Sequence, residues 1–164
     1  MTYKQTSDYF ENLCKFKLVG HSDDQKKFMR INIDDIIDNS AKFKLGFPAV
    51  LLELPENKLS GETDDSAFKN RYVALTFLSK VPPQDKTREL EVYDEMETLG
   101  LKFMAKVNHD YKNFTDRKIH SFNFNDVRWF KIGPVADNLY GQRFEFPIGF
   151  VAKEFRIYNA NDWT

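Results

Sequence analysis

Cysteine is almost absent. Cys14 stands alone among 164 residues, so no disulfide can form within the chain, and a reducing compartment is the simple reading. An excess of charge of one sign is missing too. Lys and Arg number 24 against 25 Asp and Glu, a net charge of -1. A near-neutral chain has no overall pull toward DNA, RNA or anionic lipid. No apolar run approaches the ~20 residues of a membrane-spanning helix. The opening MTYKQTSDYFENL lacks the apolar stretch of a signal peptide. A cytosolic origin with no membrane partner is the expectation.

The signatures of several chemistries are also missing. Neither GxxxxGKS, GxxxxGKT nor GxGxxG occurs, so no phosphate cradle is expected. There is no GxSxG elbow, no HExxH and no EF-hand spacing. His21, His109 and His120 lie apart in sequence. His109-Asp110 with His120 is a metal candidate, but a histidine near a helix C-terminus is explained more cheaply by the helix dipole. Cys14 falls on an apolar helix face, as core rather than nucleophile. The pairs Asp23-Asp24, Asp34-Asp35 and Asp64-Asp65 sit in turn or cap contexts, where capping and solvation account for them without a carboxylate dyad. The expectation is no catalytic residue, no cofactor and no metal ligand.

What is present is a core-forming composition, 41% apolar, with 16 phenylalanines. Rings in that number bring large buried area per residue, in a core or an interface. The length suits one domain over 1–164. It divides into an N-terminal helical extension (1–45), a sheet-and-helix core (46–153) and a C-terminal tail (154–164).

Residues 7–18 read as a short helix capped by Ser7 or Asp8, with Phe10, Leu13, Cys14 and Leu18 on one face. Residues 21–27 are a solvated turn. For Phe28 to Phe43, a strand at FMRINI competes with a short helix capped by Asp34, and the helix is preferred. FPAVLLEL, residues 47–54, is a strand whose near-continuous apolar run places it inside a sheet. Residues 55–70 are polar and predict a mobile loop joining two antiparallel strands. RYVALTFLSKV, residues 71–81, is the second strand, with Val73, Leu75 and Phe77 on one face.

The clearest periodicity runs from Asp85 to Tyr111. Leu90, Tyr93, Met96, Leu99, Phe103, Val107 and Tyr111 fall at steps of three and four, one stripe of a helix. Thr87 is its candidate N-cap, and Gly100 permits close packing on the sheet. Two further strands fit 119–132 and 142–153, with a turn at Gly133-Pro134 and the polar DNLYG. The predicted class is α+β. It has two layers, a mainly antiparallel four-stranded sheet packed on one long helix, with an extra N-terminal helix.

The strands HSFNFNDVRWF and RFEFPIGF interleave rings with arginines and asparagines. An RNA-binding sheet also displays rings, but it needs a basic chain and a basic, glycine-containing strand with aromatics on its solvent face. Neither condition holds, so sequence-specific nucleic-acid binding is not expected. In RFEFPIGF, alternation puts Phe144, Phe146, Ile148 and Phe150 on one side, predicted to pack on the long helix. Arg143, Pro147 and Gly149 point the other way. A proline inside a strand belongs at an edge or a bulge.

FPAVLLEL, RYVALTFLSKV, RELEVYDEMETLGLKFMAKV and DNLYGQRFEFPIGF, in that order, resemble the tail-terminator and head–tail joining (neck) proteins of tailed bacteriophages. The likeness covers roughly residues 45–153. It implies a virion structural protein, located in the tail or neck and assembled in the host cytoplasm. It also implies a homo-oligomeric ring of six or twelve copies that meets tail-tube or connector proteins, and no catalysis. The candidate subunit interface is then Glu56, Glu62, Asp64, Asp65 and Lys69 of the polar loop, with Arg143, Pro147 and Gly149 of the last strand. The alternative is a small intracellular phage-encoded binding protein, with nucleic-acid binding through the aromatic face as a further variant.

Overall fold

The computed structural model describes residues 2–31, 45–54, 57–60, 68–113, 119–135 and 138–151. In chain order these hold α1 (Tyr3–Lys15), β1 (Phe28–Arg30), β2 (Ala49–Glu53), β3 (Asn57–Ser60), β4 (Phe68–Lys80), α2 (Lys86–Asn113), β5 (Arg128–Val135) and β6 (Leu139–Val151). A 3-10 turn, Phe124–Asp126, precedes β5. The class is α+β, as the patterns implied. The sheet, however, has six strands rather than four, and it is mixed, with one parallel pair, β1–β2, beside antiparallel ones.

Its order is β1-β2-β4-β6-β5, with β3 beside β4 off that path. β4 and β6 are the axis. They pair antiparallel from Phe68↔Val151 to Lys80↔Leu139, about 43 Å at the usual rise per residue. β2 pairs antiparallel with β4 on one side and parallel with β1 on the other. All five of its residues are buried, which explains the apolar run Ala49–Leu52. β3 continues along the same edge of β4, from Asn57↔Arg71 to Ser60↔Phe68.

Several boundaries differ from the sequence reading for local reasons. α1 begins at Tyr3 rather than Ser7, because Thr2 and Gln5 form a reciprocal capping box that satisfies two free donors at once. Leu18, expected on its buried face, lies beyond the helix and is exposed. Phe28–Arg30 is a strand, the reading ranked second above for the start of that segment. The Asp34 cap lies outside the described residues. Asn57–Ser60 and Phe68–Asn70 are paired strand rather than loop. Their polar side chains hid this, since ladder bonds come from the backbone. The cap of α2 is Asp85, whose Oδ1 accepts from Arg88 N at 2.9 Å, and not Thr87. Gly133-Pro134 lies inside β5, where the register with β6 shifts between Ile132 and Val135.

The core lies between the sheet and both helices. α1 gives it Phe10, Leu13 and Cys14, and α2 gives Val92, Met96, Leu99, Phe103, Met104 and Val107. α1 is thus part of the core rather than an extension of it. Burial pushes the Cys14 thiol up to about 12, so it stays protonated and inert at neutral pH. The ends of the α2 stripe, Leu90 and Tyr111, are exposed. At Gly100 a Cβ would stand 2.1 Å from Phe144 Cε2, so the glycine admits the ring.

Phe144, Phe146, Ile148 and Phe150 are each at most 1% exposed, so none is a platform for a base. Their partners are not confined to α2. Phe144 meets Gly100 of α2 and the Phe77 ring. Phe146 makes edge contacts with Phe10 of α1 at 6.2 Å and with Phe122 at 5.9 Å. A smaller apolar cluster, Leu51, Leu78, Val135 and Leu139, sits apart from this core, with Met29, Phe47 and Ile132 against it.

Phe146 is locked between two layers, so its truncation leaves a cavity that neither α1 nor the sheet can close. Phe146→Ala is expected to lose about 3–5 kcal/mol in urea unfolding. A loss below 1 kcal/mol would mean that the site collapses freely.

Candidate subunit interface

Strand alternation sends Arg143, Glu145 and Pro147 of β6 to the face away from the helices. There the register aligns Glu53 of β2, Ala74 of β4 and Glu145 of β6 in one row across the sheet. Arg143, one step along, pairs with Thr76. Its Nε donates to Glu145 Oε1 at 2.8 Å and its Nη2 to Glu53 Oε2 at 3.3 Å, and Nη1 donates to Glu53 Oε1. The small Ala74 leaves room for one guanidinium to span both carboxylates. Burial pulls the Arg143 pKa down, but the hydrogen bonds and charges of Glu53 and Glu145 outweigh this and raise it.

Arg143 is therefore engaged within its own chain, with a side chain only 12% exposed. A charge reversal there disturbs the fold as well as any contact with a neighbour, so it is not the clean surface change that alternation alone suggests.

Gly149 and Pro147 occupy the place where β6 changes partner. Gly149 N donates to Ser121 O at 2.9 Å, and His120 N donates to Gly149 O at 2.7 Å. A Cβ on Gly149 would stand 2.0 Å from Ser121 Oγ. The close approach that this glycine permits is made by the chain's own Ser121. β5 pairs with β6 no further than Arg128↔Glu145. Pro147 falls between these two attachments, and by alternation its nitrogen faces the gap. The missing N–H costs no ladder bond there, which fits the expected edge or bulge. Lys69 lies in β4, opposite Phe150, with Nζ 5.8 Å from the Tyr3 ring centroid. Glu56, Glu62, Asp64 and Asp65 lie outside the described residues.

Sequence reasoning missed the outer edge of the sheet. β5 pairs only with β6 among the described residues, and most of its length is exposed. Trp129 and Phe130 point to opposite faces, each 45% exposed. Trp129 stacks on Phe144 at 5.8 Å and donates from Nε1 to Glu97 Oε1 at 3.3 Å. Phe130 lies opposite Arg143 on the far face, the face that also carries the exposed Tyr72. The available signal was Gly133-Pro134 within an aromatic strand, a pair tolerated at edges.

The other polar cluster joins the helices. Tyr9 Oη of α1 donates to the buried Asp110 Oδ2 of α2 at 2.9 Å, and Lys106 donates to Asp110 Oδ1. Burial, then the Asp110 charge, pushes the Tyr9 phenol up. His109 stands beside Asp110 but is exposed. Among the described residues no group of three or more His, Cys, Asp or Glu side chains is placed to hold a metal, and no helix is long and apolar enough to cross a membrane. No protein-family model, curated protein or solved structure matches the chain.

Removing Arg143 leaves the buried Glu53 without its cation. Arg143→Met should cost about 3 kcal/mol or more. Adding Glu53→Gln should recover at least ~1 kcal/mol, a coupling visible in a double-mutant cycle by urea unfolding. Simple additivity of the two changes would break the assigned clamp.

Proposed function

We propose that this chain is a self-associating structural subunit, a ring-forming tail terminator or neck component that joins a phage tail to the capsid connector. The observation that carries the reading is the β5 edge. An exposed strand with one unpaired backbone edge is a template for association. Aromatic residues are enriched at the centres of interfaces, and β5 presents two. In a ring each copy offers β5 to a different surface of the next, a heterologous contact that closes by rotation. The far-face residues Tyr72 and Phe130 flank the Glu53–Arg143–Glu145 clamp and extend that surface. Rings of six or twelve copies are the proposed assembly, with tail-tube or connector proteins as neighbours and the virion as location. The order of the sequence patterns supports the phage assignment.

The second reading, a small intracellular binding protein, uses the same edge differently. An extended segment of another protein would add to β5 as a further strand. Stoichiometry separates the two.

Phe130 is the position to test. Trp129 packs on Phe144, so changing it perturbs the core, whereas Phe130 lies on the far face. Phe130→Ser is expected to stay within about 0.5 kcal/mol of wild type, as a surface change. Native mass spectrometry, with tail-tube protein added, should find wild type in multiples of six and Phe130→Ser as monomer. A wild-type chain that stays monomeric at all concentrations, with and without that protein, would overturn the ring.

A further inference from the structure

Arg71 heads the fully buried side chains by volume. It lies on the helix face of β4, between Asn57 of β3 and Ile148 of β6. A guanidinium has five N–H donors. Nε donates to Asn57 Oδ1 at 3.0 Å. Nη1 donates to Thr2 O at 2.9 Å and to Thr6 Oγ1 at 2.7 Å. Nη2, with two donors, is buried and has no hydrogen-bond partner among the described residues. The ring of Tyr3 lies 4.0 Å from Cζ, and that of Phe150 lies 6.0 Å away.

Every one of those partners is neutral. A buried cation without a counter-charge carries a large desolvation cost, and burial lowers the Arg71 pKa. The helix adds to the imbalance. Thr2 is the N-cap of α1, so the guanidinium stands at the positive end of a 13-residue helix dipole, where a cation is disfavoured and an anion is favoured. Lys69 Nζ approaches the same Tyr3 ring. The guanidinium and the N-terminus of α1 meet at one point with a double donor that is unmatched among the described residues, none of which bonds a carboxylate to the guanidinium.

We propose that the Arg71 guanidinium, covered by Tyr3 at the N-terminus of α1, is a binding site for one small oxyanion, a carboxylate or a phosphate. Nε and Nη1 are already used, so the anion is held end-on by Nη2 rather than in the two-nitrogen fork usual for arginine. Tyr3 is the cover. Its ring lies on the guanidinium on one side and is half-exposed on the other. Asn57 Nδ2 donates to Tyr3 Oη and holds the cover shut. Entry requires that latch to open, after which the anion meets Nη2 and the first turn of α1 together. The site is independent of self-association, because it is complete within one chain.

The probes are sodium phosphate and sodium acetate, each against sodium chloride at matched ionic strength. Wild type should melt about 3–6 °C higher when the bound anion is at ten times its Kd. A rise with both anions marks a general oxyanion site, and a rise with one identifies the preferred anion. Arg71→Met should show neither rise. Tyr3→Ala keeps the cation and removes the cover, so it should reach the same rise at lower anion concentration. Should Arg71→Met fail to fold, the wild-type side-chain N–H resonances of Arg71 give the answer by NMR. They should shift saturably on titration with phosphate or acetate and not with chloride. Resonances that do not move, or an equal rise in wild type and Arg71→Met, would overturn the site.

Discussion

The contact between Gly100 of α2 and the ring of Phe144 sets the spacing of the two layers. A side chain at residue 100 would meet Phe144 Cε2 at 2.1 Å, so this helix reaches this sheet only through the missing Cβ. The ring cannot step aside. Trp129 stacks on it and Phe77 meets its edge, and Phe103 of α2 in turn meets Phe77 at 5.1 Å. Aromatic edges interlock at fixed centroid distances, so the spacing set at Gly100 propagates along β4 and β6.

One helix does not cover all of that pair. The β6 rings continue from Phe144 through Phe146 to Phe150, and α1 with Phe122 covers what α2 leaves. This accounts for a capping box at Thr2 and Gln5 so near the start of the chain, which fixes the first turn of α1 over Arg71. It also accounts for the strap from Tyr9 to Asp110, which ties the two helices to each other. The far face combines a smaller apolar cluster around Leu51, Leu78, Val135 and Leu139 with a charged clamp, in which Arg143 spans Glu53 and Glu145. The sheet therefore has an aromatic side under the helices and a mixed side that carries the clamp, and among the described residues β5 is its outer edge.

Much of this was legible from period alone. The α2 stripe, the buried run of β2 and the one-sided aromatics of β6 each repeat a strong local pattern, and pattern is what a core imposes on a chain. Gly100 was legible too, because a glycine within a helix stripe needs a packing reason. What escaped was set by partners distant in sequence. Asn57–Ser60 is a strand because β4 offers it an edge, and nothing in NKLS announces that. The parallel β1–β2 pair was hidden because three residues carry too little periodicity. Arg71 and Arg143 look alike in sequence. Among the described residues one is bonded to neutral groups of α1 and β3 and the other is clamped by two carboxylates across the sheet, a difference made by partners distant in sequence. Trp129 and Phe130 were not singled out, because the end of the sheet has no local signature.

The account depends on the α2–β6 spacing, and the unfolding free energy of Gly100→Ala tests it most directly. On an open helix surface this change gains up to about 1 kcal/mol from helix propensity. With Phe144 held by Trp129 and Phe77, the added methyl instead forces the layers apart, and overpacking of this kind costs about 1–3 kcal/mol. The account predicts a net loss of stability in urea unfolding. A variant as stable as wild type, or more stable, would contradict it.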